Sequence, residues 1–436
     1  MNSFSRHFLA AFSFALCLLP LQAQTARELI GEDPSRIACQ LHCYEVPAFH
    51  DTPAPAGYKP FYVSHFGRHG SRYHTSAKAF VPTVTTFREL DQKGLLTDTG
   101  RIVMRIIDTL QTLHDDMSGY LTQVGSLEHQ GVAERLYERC PRVFRQRGRR
   151  DVLAVSSTVV RCNQSMMNFC TALKGKAPAL DFHYYTNGRT DEALTRVRHG
   201  GRNPIYPPKD DSMEKVDSIR RSRIDPTLFA HRMFTDSAAA AACIKNGNMQ
   251  SFMGTLISHG VIGQCLDEKV EPIYPYFTED ELFNYWVYRN AATLNAHGFS
   301  YENGEVLRRV GKLIVTDILE KADEALSDGS TKAADLRFSH DGGVLPLIFY
   351  LGLEGNDHTW RLGEEWEHGW YAFQQIPMCT NVQMIFYKNR KDDVLVKFLH
   401  NERETTITRL QPWKGPYYKW ADLRPYLQAL ADADCD

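Results

Sequence analysis

The stretch that most constrains this chain is Phe61-Tyr62-Val63-Ser64-His65-Phe66, an apolar, β-prone run that passes straight into Gly67-Arg68-His69-Gly70-Ser71-Arg72. Such a run, stopped by a turn signal, reads as a buried strand. Glycines on both sides of the histidine let the backbone turn and let a ligand approach it. Asp151-Val152-Leu153-Ala154-Val155 is a second such run, ending at Ser156-Ser157, and 158–173 has the apolar spacing of a helix. Helical spacing around Phe87–Leu90 and Ile102–Leu113 lies between the two strands. Strand signal returns at Leu336–Ser339, Val382–Tyr387 and Val394–Leu399. Strands alternating with helices predict an α/β core that binds ligands at the carboxyl ends of its strands.

The remaining segments set the domain plan. Residues 24–57, with scattered prolines, read as an irregular lead-in. Pro204, Pro207 and Pro208 with the charged stretch 209–224 read as a connecting loop. Thr278 and Glu281 form a capping-box signature, followed by a periodic face through Leu282, Tyr285, Trp286 and Arg289 until Gly298. Val306–Leu326 is another helical stretch. The expected plan is a core over 24–184 and 333–436, interrupted by a helical cap over 185–332.

Arg6 and His7, an apolar run from Phe8 to Leu21 and Ala23 read as a secretory signal peptide over 1–23. The run is shorter than the roughly 20 residues that span a bilayer, which argues for export without a membrane anchor, to the periplasm or beyond. Export would remove Cys17 and leave nine of the ten cysteines, an odd number. Cys39–Cys43 and Cys243–Cys265, neighbours in sequence, are the first disulfide candidates. No Cys-x-x-Cys occurs, so metal spacing is a poor alternative. The 436 residues carry 50 Lys+Arg against 52 Asp+Glu, a net charge of −2, which argues against a nucleic-acid partner.

At a strand's carboxyl end, the cluster around His69 suits one chemistry. Guanidinium forks match phosphate oxygens bidentately and stay charged. A neutral imidazole between Arg68 and Arg72 can attack phosphorus to form a phosphohistidine. Ser156 to Arg161 follows the second strand and can deliver Arg161 to the same edge. Ser339-His340-Asp341 follows the returning strand, with His340 for the phosphate and Asp341 to protonate the leaving oxygen. The pattern is not unique, since Arg198-His199-Gly200-Gly201-Arg202 repeats it. No strand precedes that copy, so a basic loop is the plainer reading of it.

With these motifs in order, the chain resembles the histidine acid phosphatases, the branch of the histidine phosphatase superfamily that includes phytases and multiple inositol polyphosphate phosphatases. The resemblance covers nearly all of the chain after residue 23, including the helix after His340 and the strands near Gln383 and Val394. It implies a three-layer α/β/α, phosphoglycerate-mutase-like core with an inserted, mainly helical domain, no metal or cofactor, and a small phosphorylated substrate. It also implies His69 as nucleophile, Arg68, Arg72, Arg161 and His340 as phosphate clamp, and Asp341 as proton donor. Two positions depart from the pattern. The inositol polyphosphate group reads His-Ala-Glu where this chain has His340-Asp341-Gly342, and His74 stands where the family often has proline.

The expected activity is phosphate release from inositol polyphosphates by a secreted enzyme. Such a substrate needs further cations; the candidates are Lys78 and the arginines 198, 202, 220, 221 and 223. The dense run Arg142, Arg145, Arg147, Arg149 and Arg150 reads as a solvated face. Two other readings stay open: a broad acid phosphatase on sugar phosphates or bisphosphoglycerate, and a catalytically silent phosphate-binding protein. Oligomeric state is not legible.

Overall fold

The computed structural model describes residues 24–187, 194 and 211–434. The expected signal peptide at 1–23 and the second Arg-His-Gly-Gly-Arg at 198–202 lie outside the described residues, as do Cys17 and Cys435. The apolar runs form the middle of one mixed sheet. Its strands are β1 (Lys59–Arg68), β2 (Asp151–Ser156), β3 (Asp181–Tyr185), β4 (Lys332–Ser339), β5 (Asn381–Lys388), β6 (Val394–His400), β7 (Arg403–Thr405) and β8 (Tyr417–Lys419). The order is β3-β2-β4-β1-β5-β6-β7, with β8 on β6.

Register decides where the motifs end up. β1 and β4 run parallel with Arg68 opposite Ser339, and β2 runs parallel to β4 with Ser156 opposite Phe338. The segments after β1, β4 and β2 therefore leave the sheet side by side, at its carboxyl edge. β5 is antiparallel to β1, placing Asn381 opposite Gly67 and bringing the loop before it to the same edge.

Alternation along β1 divides the core into two layers. Val63 joins Val152, Ala154, Leu336 and Ile385 on one face, under the helices Gln123–Arg139 and Val160–Lys176. Tyr62 and Phe66 join Met384 and Phe386 on the other, under Gly304–Leu326, Asp341–Leu351 and Trp420–Asp432. The result is three layers, as expected. The second apolar cluster does not stop at the sheet. It runs on through Met253, Leu256, Trp286 and Leu294 of the helices Met249–Gly260 and Glu279–His297.

Three expectations need correction. The lead-in is not irregular throughout: Thr25 and Glu28 form a capping box on the helix Ala26–Glu32, and Asp33 with Pro34 starts a 3-10 segment to Leu41. The charged stretch 209–224 is largely the helix Asp211–Arg223, which buries Ser212, Val216 and Ile219 and turns its charges outward. Its sparse apolar spacing hid a narrow helical stripe. Neither Cys39–Cys43 nor Cys243–Cys265 is bonded, and the eight described cysteines are thiols. Cys39, at φ 53°, turns its sulfur toward the Trp286 carbonyl, while the Cys43 sulfur lies 3.8 Å from that of Cys265.

The helices Gly304–Leu326 and Asp341–Leu351 approach closely at Gly311, where a Cβ would lie 2.4 Å from the Tyr350 Cβ. Gly311→Ala is expected to destabilise the protein by about 1–3 kcal/mol through overpacking, despite the better helix propensity of alanine. Denaturant unfolding checks this, and a stabilised variant would contradict the packing.

Candidate active site

β1 delivers a fully buried arginine to the sheet edge. The Arg68 Nη1 donates to the Gln40 and Ile376 carbonyls at 2.5 and 2.7 Å, and Nη2 to Asp341 Oδ2 at 3.0 Å. Its backbone N–H meets the Thr380 carbonyl, and the His69 N–H meets that of Ser339 at 2.9 Å, stitching the motif to both neighbouring strands.

His69 Nδ1 lies 2.9 Å from the Gly70 carbonyl oxygen. A carbonyl only accepts, so Nδ1 carries the ring proton and Nε2 keeps its lone pair. Burial first, then Arg161, Arg68, His340 and Arg72, hold the pKa of His69 well below 6.5. The imidazole is thus held in its neutral, nucleophilic form.

The loop after His69 is held from beneath. Glu128, on the helix Gln123–Arg139, accepts from the Ser71 N–H and hydroxyl at 2.7 Å each and from the Tyr44 N–H at 2.9 Å. Burial raises its pKa, and these hydrogen bonds oppose the rise. Gly70 and Gly125 meet so closely that a Cβ on Gly125 would sit 2.1 Å from the Ser71 carbonyl oxygen. Arg72 emerges from this loop, its Nη1 donating to the Tyr73 carbonyl, with its pKa lowered to about 10 by burial and by Arg161 and Arg68.

Arg161 lies near the start of Val160–Lys176, and its Nη2 donates to His340 Nδ1 at 3.2 Å. His340 Nε2 lies 3.2 Å from the Ser157 hydroxyl, and its ring stands 5.5 Å from that of His69. Burial, then Arg161, lower the His340 pKa to about 3. The Nε atoms of Arg68, Arg72 and Arg161 are buried without a partner among the described residues. Three guanidiniums therefore converge with donors to spare, which suits an anion with several oxygens.

Asp341 opens the helix Asp341–Leu351. Besides Arg68 it faces His297, whose Nε2 is 3.6 Å from Oδ2. Burial alone would raise its pKa, but His297 and then Arg68 hold the carboxyl well below 3.8. These charges favour the carboxylate form of Asp341.

The structure thus brings together Arg68, His69, Arg72, Arg161, His340 and Asp341. It does not bring in Lys78, which is exposed on the short 3-10 turn Ala77–Ala79 with no side-chain bond to the cluster. Arg220 and Arg221 pair with Asp217 and Glu214 on their own helix, and Arg223 lies over the Trp366 ring. Arg198 and Arg202 lie outside the described residues. Sequence reasoning missed Glu128 and His297, since neither stands in a motif. The last-turn position of His297 on a capped helix was the only available signal. Among the described residues, one group has metal-ligand spacing, Asp33, His42 and Glu45 in the lead-in, where Glu45 is already paired with Arg36 and His42.

A mixed sheet with histidines at the ends of two adjacent parallel strands, arginines beside both, and a carboxylate after the second histidine defines a phosphate-handling enzyme. Residues 63–401 match the family model of the histidine phosphatase superfamily (branch 2), and the chain belongs to that family. A search of curated protein sequences gave no match. Solved structures share the fold at low identity. Multiple inositol polyphosphate phosphatase of Bifidobacterium longum, complexed with inositol hexasulfate, is 18% identical with a TM-score of 0.77, over 90% of this chain and 97% of that one. The phytase from D. castellii is 14% identical with a TM-score of 0.67, over 98% and 90% of the two chains. That of Citrobacter braakii is 13% identical at 0.53, over 87% and 99%.

Two outcomes test the geometry. Glu128→Gln places an amide N–H₂ against an N–H or hydroxyl that the carboxylate had satisfied. It should cost about 1–3 kcal/mol in denaturant unfolding, with the far-UV spectrum unchanged. The His69 ring, followed by NMR in the unliganded protein, should show no titration around 6.5; a midpoint there would contradict its burial among the arginines.

Proposed function

We propose that the protein is an exported phosphomonoesterase that releases phosphate from inositol polyphosphates through a phosphohistidine at His69. The observation that carries this reading is the Nε2 lone pair of a neutral His69 beside three guanidiniums whose buried Nε donors have no partner among the described residues. Arg68, Arg72 and Arg161 hold the phosphoryl oxygens, and His340 completes the clamp. As the Nε2–phosphorus bond forms, the bond from phosphorus to the leaving oxygen breaks. At acidic pH the ester arrives as a monoanion, and its proton passes to Asp341, whose attraction to Arg68 weakens once phosphate shares that arginine. Asp341 then protonates the leaving alcohol. In the second half-reaction it takes a proton from the attacking water, and the nitrogen–phosphorus bond breaks to give inorganic phosphate.

The chain carries the requirements of export in the apolar run at its start, and no described helix is long and apolar enough to cross a membrane. The segment 185–332 is read as the cap over the site. Asp341 directly after His340, instead of a glutamate one residue later, favours a second reading, a phosphatase with broader taste for small monoesters.

Phosphate release from phytate at acidic pH, with chelator present, should fall by at least about 10³-fold in His69→Ala, as expected for loss of a nucleophile. Equal rates would refute the mechanism. Asp341→Asn should lower kcat/KM, which reports the first half-reaction alone, about 10²–10⁴-fold on phytate. It should have little effect on kcat/KM for p-nitrophenyl phosphate, whose leaving group departs without a proton. Equal losses of kcat/KM on both substrates would remove Asp341 from protonation of the leaving group. The ratio of wild-type kcat/KM on the two substrates separates the inositol phosphate reading from the broader one.

A further inference from the structure

The arginine run after the helix Gln123–Arg139 takes no part in the site above, and the fold gives part of it another setting. Arg142, on the short helix Pro141–Arg145, and Arg149 face Lys59 at the start of β1 and the β5–β6 turn with Lys388, Arg390 and Lys391. Together they line an open groove of about 760 Å³, within the range of small-molecule sites. No Asp or Glu lines it among the described residues. We propose that this groove is a second anion site, which binds a compact soluble molecule carrying several phosphate or sulfate groups.

The walls are fixed before any ligand arrives. Arg149 Nη1 donates to the Ala325 and Lys332 carbonyls at 2.8 and 3.1 Å, and its guanidinium lies 5.2 Å over the Phe61 ring. Gln146 Nε2 donates to the Phe61 carbonyl at 2.6 Å, tying the segment after the short helix to β1. In the turn, Asn389 Oδ1 accepts from the N–H groups of Lys391 and Asp393 at 2.8 and 3.0 Å.

The charges are left over. The turn's own carboxylates are engaged, Asp392 with Lys388 at 2.9 Å and Asp393 with the Asn389 amide at 2.8 Å. Lys59, Arg142, Arg390 and Lys391 make no ion pair among the described residues, whereas Arg135, Arg139, Arg337 and Arg424 each have a carboxylate. In a chain of net charge −2, six cations converging on one concavity concentrate positive potential where an anion can enter.

Size and surface choose the ligand. A nucleic acid would call for a long basic face with exposed aromatic rings for stacking. Here the one ring in the groove, Phe61, is buried and covered by Arg149. The groove also lies at the amino end of β1, and His69 follows its carboxyl end. Ten residues at about 3.3 Å each separate the two, so one small ligand cannot reach both.

Calorimetric titration with myo-inositol hexasulfate, which a phosphatase cannot hydrolyse, tests the proposal without relying on activity. The wild-type protein should bind at two sites. Arg142→Gln/Lys391→Gln, both solvent-facing changes, should retain one site and bind at the other about ten- to a hundredfold more weakly, for two lost charge-assisted contacts. Hydrolysis of p-nitrophenyl phosphate by this variant should be unchanged, which shows the catalytic cluster intact. Unchanged stoichiometry and affinity in the variant would overturn the proposal. So would charge-dependent binding only to vesicles of phosphatidylcholine with phosphatidylinositol bisphosphate, because the groove would then serve a lipid surface.

Discussion

Arg68 keeps a permanent positive charge where no water reaches it, and much of the molecule is arranged to make that tolerable. A buried guanidinium must spend its donors on fixed acceptors. Two are carbonyls, from Gln40 in the lead-in and Ile376 before β5, and the third is the Asp341 carboxylate after β4. Segments far apart in sequence thus converge on the end of β1. Arg72 and Arg161 approach from other directions. Burial, reinforced by their combined field, keeps both His69 and His340 neutral, and His297 with Arg68 keeps Asp341 ionised.

That field makes the unliganded site incomplete in a specific sense. Three buried Nε donors lack partners among the described residues, and Asp341 beside them is held toward its ionised form. On the reading proposed above, an arriving phosphoryl group supplies acceptors to the arginines and weakens the attraction between Arg68 and Asp341. Below this, Glu128 is a plain support. It has no direct bond to the cluster, yet its two oxygens set the path of the chain from His69 to Arg72.

Much of this was legible in the sequence because strong local signals agreed with the tertiary setting. The run at 61–66 became β1, which is covered on both faces and so calls for a continuous apolar stretch, and that at 151–155 became β2, which buries alternate residues. Thr278, Glu281 and Gly298 bracket their helix where the capping pattern placed them. The six clustered site residues could be found because each lies at the carboxyl end of a strand or in the short segment that follows it. Glu128 and His297 could not, because their importance comes from what lies across the fold and nothing beside them in sequence marks it. The helix at 211–223 was hidden by its charges, as only Ser212, Val216 and Ile219 face inward. Disulfide pairing by sequence proximity failed for a related reason: the Cys43 sulfur lies 3.8 Å from that of Cys265, which the 3-10 segment Val261–Cys265 brings in from far along the chain.

The apolar cluster that runs from under β1 into the helices Met249–Gly260 and Glu279–His297 has a mechanical meaning. A lid that swings needs a seam along which water can enter and leave, and here the seam is filled by side chains such as Trp286 and Leu294. Opening it would expose core. The helices Met249–Gly260 and Glu279–His297 are therefore held to the sheet by the same burial that holds the sheet to its own helices.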